Sequence, residues 1–265
     1  MAITVGAHLR EWRQRRRMSQ LALACEADIS TRHLSFVETG RATPSREMIL
    51  HLAEQLDVPM RERNVLLVAA GYAPVFPERS LAAPELEAAR TAIDLLLQGH
   101  KPYPAFALDR HWNVVAGNGA LPQLYEGVDR TLLTPPINVM RLSLHPGGLA
   151  PRILNLAEWR MHLLSRLRRQ IELTADPGLI ALLAEVTGYD GATPGQRPSD
   201  THPQWDMVIP LRVRIAAGVV SFFTTTMVFG TPVEVTLSEL AVESFFPADA
   251  ETAAIVRRLS PLPAT

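Results

Sequence analysis

The stretch that decides the fold of the N-terminal part reads SQLALACEADISTRHLSFVETG (residues 19–40). It contains two short runs with helical spacing, and each follows a serine that can cap a helix, Ser19 and Ser30. Ala24 is small enough for two helix backbones to cross closely, and Ile29 supplies an apolar side chain at the turn. This pattern predicts a helix-turn-helix motif.

Helical spacing continues on both sides of this motif. Val5, Leu9 and Trp12 share one face of a first helix, while Gly40 and Gly71 are placed to end later helices. The sequence therefore predicts a compact all-α domain of five helices over residues 1–72, with helices at 4–17, 19–27, 30–39, 45–56 and 60–70.

The second helix of the motif has one face suited to DNA. Leu34 and Val37 are spaced to face the core, which leaves polar side chains on the opposite face for base edges in the major groove. Two helix N-termini and the loop after the helix can contact phosphates. The predicted DNA-binding residues are Thr31, Arg32 and Ser35 on the helix, Gln20 and Ser30 at helix N-termini, and Arg41 and Thr43 in the exit loop.

The charge distribution agrees with a nucleic-acid partner for the first domain alone. Residues 1–72 contain ten arginines against eight acidic residues, whereas the whole chain has a net charge of −1. The lone Cys25 excludes an intrachain disulfide, and the N-terminus lacks a signal-like pattern. The uncharged stretch 215–233 is β-branched and contains glycine and proline, so buried strands are expected there, with no membrane segment. We expect a cytoplasmic protein.

Three prolines, Pro74, Pro77 and Pro84, predict a linker over residues 73–84. The second domain, residues 85–265, mixes helical and alternating patterns, which indicates an α+β domain with an antiparallel sheet. Helices are predicted at 85–98, 151–173, 179–186 and 250–259, and strands at 105–108, 112–116, 208–216, 219–229 and 233–236.

The second domain contains apolar and hydroxyl side chains suited to a pocket for a small ligand. Phe222, Thr224 and Thr226 share one face of a predicted strand, and two hydroxyls among apolar neighbours suit either a pocket or a plain sheet–helix core. The candidate ligand-binding residues are Phe106, Trp112, Trp159, Leu163, Phe222, Thr224 and Thr226. Nucleophile-elbow, phosphate-loop and zinc motifs are absent, so neither an enzyme, a cofactor nor a metal site is predicted.

Residues 6–72 resemble the XRE/Cro-type helix-turn-helix family. Gly6–Arg13 followed by Met18–Leu21 resembles the opening of the family domain, and Ser30–Ser45 resembles its recognition helix and exit loop. The resemblance implies that Arg13 and Glu38 form a partly buried ion pair that ties the first helix to the third. Asp28 stands in the turn where the family commonly has glycine.

Residues 85–258 resemble the C-terminal domain of MmyB-like (MltR-type) regulators, a PAS-like module. The similarity lies in Pro102–Ala105, Asp109–Asn113, Asn155–Arg160, Phe229–Pro232 and Leu237–Asp249. The resemblance implies a sensor of a small, largely apolar ligand, with a fatty acid as the leading candidate effector.

Together these observations predict a sequence-specific transcriptional regulator whose second domain senses a ligand. One such DNA-binding domain offers little interface, so a homodimer on an inverted-repeat operator is expected. Two alternatives are a protein-interaction scaffold that retains the helix-turn-helix fold and an enzyme with an appended DNA-binding domain.

Overall fold

The computed structural model describes residues 4–189 and 209–259. The chain divides into two compact units. The first comprises Met1–Arg79 with Gln170–Ala175 and Pro232–Ser238, and the second comprises Ser80–Arg169, Asp176–Thr231 and Glu239–Thr265. The first unit is helical and the second is built on a sheet, so the predicted fold class, an all-α helix-turn-helix domain followed by an α+β domain, is confirmed.

Five helices form the main part of the first unit, as predicted. Their bounds are Val5–Arg15 (α1), Gln20–Glu26 (α2), Thr31–Glu38 (α3), Arg46–Gln55 (α4) and Met60–Ala69 (α5). Four of them begin at a hydroxyl side chain that accepts a hydrogen bond from a backbone N–H three residues on, namely Thr4, Ser19, Ser30 and Ser45. These caps satisfy backbone donors that a helix start leaves unpaired, so the sequence places the helix starts locally.

The core of the first unit is formed by apolar side chains from all five helices, including Leu9, Leu23, Leu34, Ile49 and Leu67, all fully buried. Helices α1 and α3 approach so closely that a Cβ atom at Gly6 would lie 2.2 Å from the Val37 carbonyl oxygen. A glycine is therefore required at that crossing.

The turn between α2 and α3 has the form that the sequence indicates. Ala24 is buried at the crossing, and Asp28 adopts the left-handed conformation with φ of 50°. Aspartate tolerates this region better than most residues, so it replaces glycine in the turn without loss of the motif.

The second unit contains a five-stranded antiparallel sheet with the strand order β2-β1-β5-β4-β3. The strands are Ala105–Leu108 (β1), Val114–Gly117 (β2), Leu211–Ile215 (β3), Gly218–Val228 (β4) and Ala241–Pro247 (β5). In β3, Leu211, Val213 and Ile215 are buried and alternate with two arginines, as the pattern predicts.

Six further α-helices and four short 3-10 helices (Pro84–Leu86, Pro122–Tyr125, Arg130–Leu133 and Ala150–Arg152) lie in the described residues; the α-helices follow in chain order. They are Glu87–Gly99 (α6), Val139–Leu144 (α7), Leu156–Thr174 (α8), Pro177–Thr187 (α9), Val235–Ser238 (α10) and Ala250–Leu259 (α11). Helices α6 and α11 pack on the sheet, α6 through Ile93 and Leu97 against β1. In the described ranges, no helix has the length and apolar character that crossing a membrane requires.

Three predicted elements differ in the structure. The predicted strand 233–236 is wrong: residues Val235–Ser238 form α10, because the Glu234 carboxylate accepts from the Leu237 N–H and starts a helical turn. The last strand is instead Ala241–Pro247.

The predicted helix at 151–173 begins later, at Leu156, because Ile153 is extended and pairs with Val213 in an isolated bridge. The second strand begins at Val114 rather than at Trp112, whose backbone is left-handed (φ of 67°) in the preceding turn.

Candidate functional site

The recognition helix α3 separates a packing face from a solvent face. Leu34 and Val37 are buried in the core, while Arg32 is exposed and Thr31 and Ser35 are half-buried. Ser30 caps the helix by accepting from the His33 N–H at 3.1 Å. The side chains predicted to contact bases therefore lie together on the side of the helix away from the core.

Phe36 organises the cationic side chains around this helix. The Arg32 guanidinium carbon lies 5.3 Å from the centre of the Phe36 ring, and that of Arg41 lies 6.0 Å from the same ring. The backbone N–H of Arg41 also donates to the Phe36 carbonyl at 2.8 Å, which fixes the start of the exit loop. Thr43 follows in this loop and is exposed. One half-buried aromatic ring thus holds both predicted DNA-binding arginines.

Phe36 was not among the predicted functional residues. The available signal was its spacing from Arg32, four residues along a helix, which places two side chains next to each other.

A buried ion pair supports the recognition helix from behind. Arg13 donates to both carboxylate oxygens of Glu38, at 2.6 Å and 2.8 Å, and also to the Met18 carbonyl at 2.8 Å. The Glu38 side chain is 1% exposed. The pair that the family resemblance implies is therefore present, and it ties the end of α1 to the end of α3.

Gln20 belongs to the same network, because its side-chain amide donates to the second Glu38 oxygen at 2.7 Å. The predicted role of Gln20 was a phosphate contact at a helix N-terminus. In the structure its side-chain N–H group is directed to Glu38, so α2 is joined to the ion pair as well. The phosphate contact predicted for Gln20 would then be made by its backbone N–H.

The network sets the protonation of Glu38. Burial raises the pKa of this carboxyl, but hydrogen bonds from Arg13 and Gln20, together with the Arg13 charge, outweigh burial and bring the pKa below its ordinary value. The hydrogen bond with Glu38 in turn raises the pKa of Arg13. Both side chains are therefore charged at neutral pH.

The second unit contains a cavity of about 350 Å³. Four of the seven residues predicted to hold a ligand line it: Phe106, Trp112, Trp159 and Leu163. Phe106 reaches it because residues alternate along β1, so that Ala107 packs towards α6 and Phe106 faces the other side. The remaining walls come from segments far apart in sequence, from Pro104 to Phe245.

The other three residues, Phe222, Thr224 and Thr226, do not line the cavity. They lie on the same face of the sheet as Glu243 and Phe245, because Thr224 pairs with Phe245 and Thr226 with Glu243. However, the sheet residues that line the cavity come from β1, β2, β3 and β5, and none of them comes from β4. Phe222 is fully buried, so the plain-core alternative describes it, while Thr226 accepts a hydrogen bond from Arg166.

A tight turn presents Trp112 to the cavity. One Asp109 carboxylate oxygen accepts from the backbone N–H groups of His111 and Asn113, at 2.8 Å and 2.9 Å. This turn holds Trp112 in the left-handed region, which is strained for a bulky side chain. The Arg166 guanidinium lies 4.7 Å from the centre of the Trp112 ring.

The sequence-based prediction included the Trp159 ring, but neither its Nε1–H donor nor Glu243. Glu243 lines the cavity, is 5% exposed, and accepts from Arg166 through Oε1. Trp159 is 3% exposed, and its buried Nε1–H has no hydrogen-bond partner among the described residues. In the sequence, Glu243 was noted only as part of a family motif. Its place in a cavity wall could not be predicted, because its neighbours on the sheet come from distant segments.

The recognition helix and the apolar cavity define a DNA-binding regulator with a ligand-binding domain. Comparison with protein-family models supports both halves: residues 4–66 match a helix-turn-helix domain, and residues 89–259 match the MmyB-like transcription regulator ligand binding domain. The latter match covers more than half of the chain, so the protein belongs to the MmyB-like regulator family. No curated protein matches the chain significantly.

Proposed function

We propose that this protein is a bacterial transcriptional regulator that binds an inverted-repeat operator as a homodimer and acts in the cytoplasm. Its second domain senses a small apolar ligand, for which the resemblance to the family indicates a fatty acid. The protein regulates rather than catalyses, since both matched families are regulator domains. The ligand acts as an effector of DNA binding, with no catalytic cofactor involved.

The observation that carries the DNA-binding proposal is the solvent face of α3. Arg32 is exposed there between Thr31 and Ser35, and the Phe36 ring restrains its guanidinium group. An arginine held in this way can make a bidentate contact with guanine, which discriminates between bases. Arg41 and Thr43 in the exit loop, with the N-termini of α2 and α3, then serve as phosphate contacts.

The DNA proposal is tested by selecting preferred duplexes from a random library and measuring binding by fluorescence anisotropy at fixed salt. Arg32→Ala is expected to cost about 1–3 kcal/mol on the selected duplex and to relax preference at one position. Arg41→Ala is the matched control, because Arg41 is a proposed phosphate contact, and loss of such a contact weakens selected and random duplexes by the same factor. An Arg32→Ala protein with unchanged affinity and preference would contradict the assignment of this face, and binding without preference would favour the scaffold alternative.

The ligand and dimer proposals are tested by native mass spectrometry of the full-length protein, compared with its denatured mass. The expected species is a dimer with an additional mass that disappears on denaturation, and extraction then identifies the chemical class of that ligand. A monomer without added mass would contradict both proposals. Release of the ligand in a chemically altered form would favour the enzyme alternative.

A further inference from the structure

Helix α6 has a second apolar face that is turned away from the sheet. Ile93 and Leu97 are buried against the sheet, whereas Leu95 is 69% exposed and Leu96 is 45% exposed. Single exposed apolar side chains are common on protein surfaces, but a continuous apolar face on a helix marks an interaction surface. The described part of the chain leaves this face uncovered.

The outward side chains of α6 have the spacing of a coiled-coil seam. Ala88, Ala92, Leu95 and Gly99 are separated by four, three and four residues, so they form one stripe along the helix, which we call the α6 seam. Ala92 is half-buried and the other three residues are exposed, with Leu96 directly beside the stripe. The seam contains no charged residue, so it can pack against a second apolar helix.

The order of large and small residues in the seam fits a second copy of the same helix. When two copies lie antiparallel about a two-fold axis between residues 92 and 95, each Leu95 faces Ala92 of the second copy and each Ala88 faces Gly99. A parallel pair would place leucine against leucine and alanine against alanine, which alternates crowded layers with empty ones. The antiparallel pair therefore packs more evenly.

The charges at the two ends of α6 favour the same orientation. Glu85 and Glu87 are exposed at its start, and Lys101 is exposed just after its end. In an antiparallel pair the acidic start of each copy lies beside the basic end of the other, and the two helix dipoles are opposed. A parallel pair would bring like charges together at both ends.

We infer that the α6 seam is the dimer surface of this protein, occupied by the α6 seam of a second copy in antiparallel orientation. The proposed function requires a homodimer and assigns it no surface, so this assignment rests on that proposal and completes it. The helix has only 13 residues, so the contact is small and the dimer is expected to dissociate on dilution.

The surface is tested by sedimentation equilibrium of the full-length protein over about 1–100 µM, where mass action separates monomer from dimer. Leu95→Glu places two carboxylates in the apolar seam, so the dissociation constant of the dimer is expected to rise about tenfold or more. Met161→Glu is the matched control, because Met161 is a similarly exposed apolar residue (64%) on α8, and its dissociation constant should equal that of the wild type. Circular dichroism verifies that both variants are folded.

The orientation is tested by disulfide formation in a Cys25→Ser background, which removes the exposed native thiol. Ala88→Cys and Gly99→Cys proteins are oxidised separately and as a mixture. In the antiparallel pair, residue 88 faces residue 99, and the two copies of residue 88 lie about 16 Å apart along the axis. A cross-linked dimer is therefore expected in the mixture and in neither protein alone. A cross-link in Ala88→Cys alone, or none in the mixture, would overturn the antiparallel pairing.

The outcomes separate the surface from the function. If Leu95→Glu dimerises as tightly as the wild type, the α6 seam is not the dimer surface, while the proposed homodimer stands. If the wild type is monomeric over the whole concentration range, both the seam pairing and the homodimer are contradicted. The assignment of the DNA-binding face would remain, because the Arg32→Ala experiment tests it separately.

Discussion

The recognition helix and the cavity are built in opposite ways. Almost all residues of the DNA-binding face lie within 14 positions, Ser30–Thr43, and the local devices that shape it are a helix cap, an aromatic ring and an exit loop. The cavity wall gathers side chains from residue 104 to residue 245 through the strand order of a sheet. A site made by neighbours in sequence can be predicted residue by residue, whereas a site made by topology cannot.

The largest expected effect falls on a long-range contact that supports the recognition helix, the Arg13–Glu38 ion pair. Glu38→Ala leaves Arg13 as a buried charge without its partner, so the free energy of unfolding should fall by about 3–5 kcal/mol. Chemical denaturation monitored by circular dichroism measures it. Glu11→Ala, which removes the exposed partner of Arg15, is the control and should cost about 1 kcal/mol or less. Equal losses in the two variants would show that the buried pair does not support the motif.

A smaller effect is expected on DNA binding by α3, whose solvent face is shaped by residues close together in sequence. Phe36→Leu keeps a half-buried apolar side chain but removes the ring beneath Arg32 and Arg41. With about 0.5–1 kcal/mol for each exposed cation–π contact, preference for the selected duplex over a random one should fall several-fold. Phe36→Tyr retains the ring and should preserve the preference. If leucine and tyrosine behave alike, the ring does not position the arginines.

A slightly smaller effect is expected on the affinity of the cavity for a ligand. Trp159→Phe removes a hydrogen-bond donor and some ring area, so we compare affinities for tetradecanol and tetradecane. The advantage of the alcohol should shrink by about 1 kcal/mol, the net value of one hydrogen bond, as measured by isothermal titration calorimetry. Trp112→Phe, on another wall, serves as the control and should leave this difference intact. If the alcohol kept its full affinity advantage over the alkane in Trp159→Phe, the indole N–H would not take part in ligand binding.

The smallest expected effect is a change in the free energy of unfolding at acidic pH. The pKa of Glu38 is lower in the folded protein than in the unfolded chain, so its contribution to stability is present above the unfolded pKa, about 4.3, and is lost as the pH falls through the folded pKa. The stability difference between the wild type and Glu38→Gln should therefore narrow below about pH 4. Denaturation curves between pH 3 and pH 7 measure it, and a constant difference over this range would contradict the lowered pKa.

The sequence predicted the parts of this molecule that local chemistry determines. Ser19, Ser30 and Ser45 mark the starts of three helices in the first unit because capping requires only residues three apart. The solvent face of α3 follows from the spacing of Leu34 and Val37.

The remaining features depend on contacts between distant segments. The strand Ala241–Pro247 was not predicted as a strand, because it lies between β1 and β4 and is buried along most of its length, so its sequence lacks clear alternation. Glu243 lies in this central strand. Trp112 was predicted to lie in a strand. Its left-handed backbone depends on the Asp109 side chain, so the strand pattern did not reveal it.

The close crossing at Gly6 has a consequence for protein engineering. Since any side chain there would collide with the Val37 carbonyl, the position of the recognition helix is fixed from its rear, by Gly6, Leu34, Val37 and the Glu38 ion pair. The residues on its front, Thr31, Arg32 and Ser35, take little part in that packing. Under the proposed function, substitutions at these three positions are therefore expected to change the preferred operator while the packing of the domain is retained.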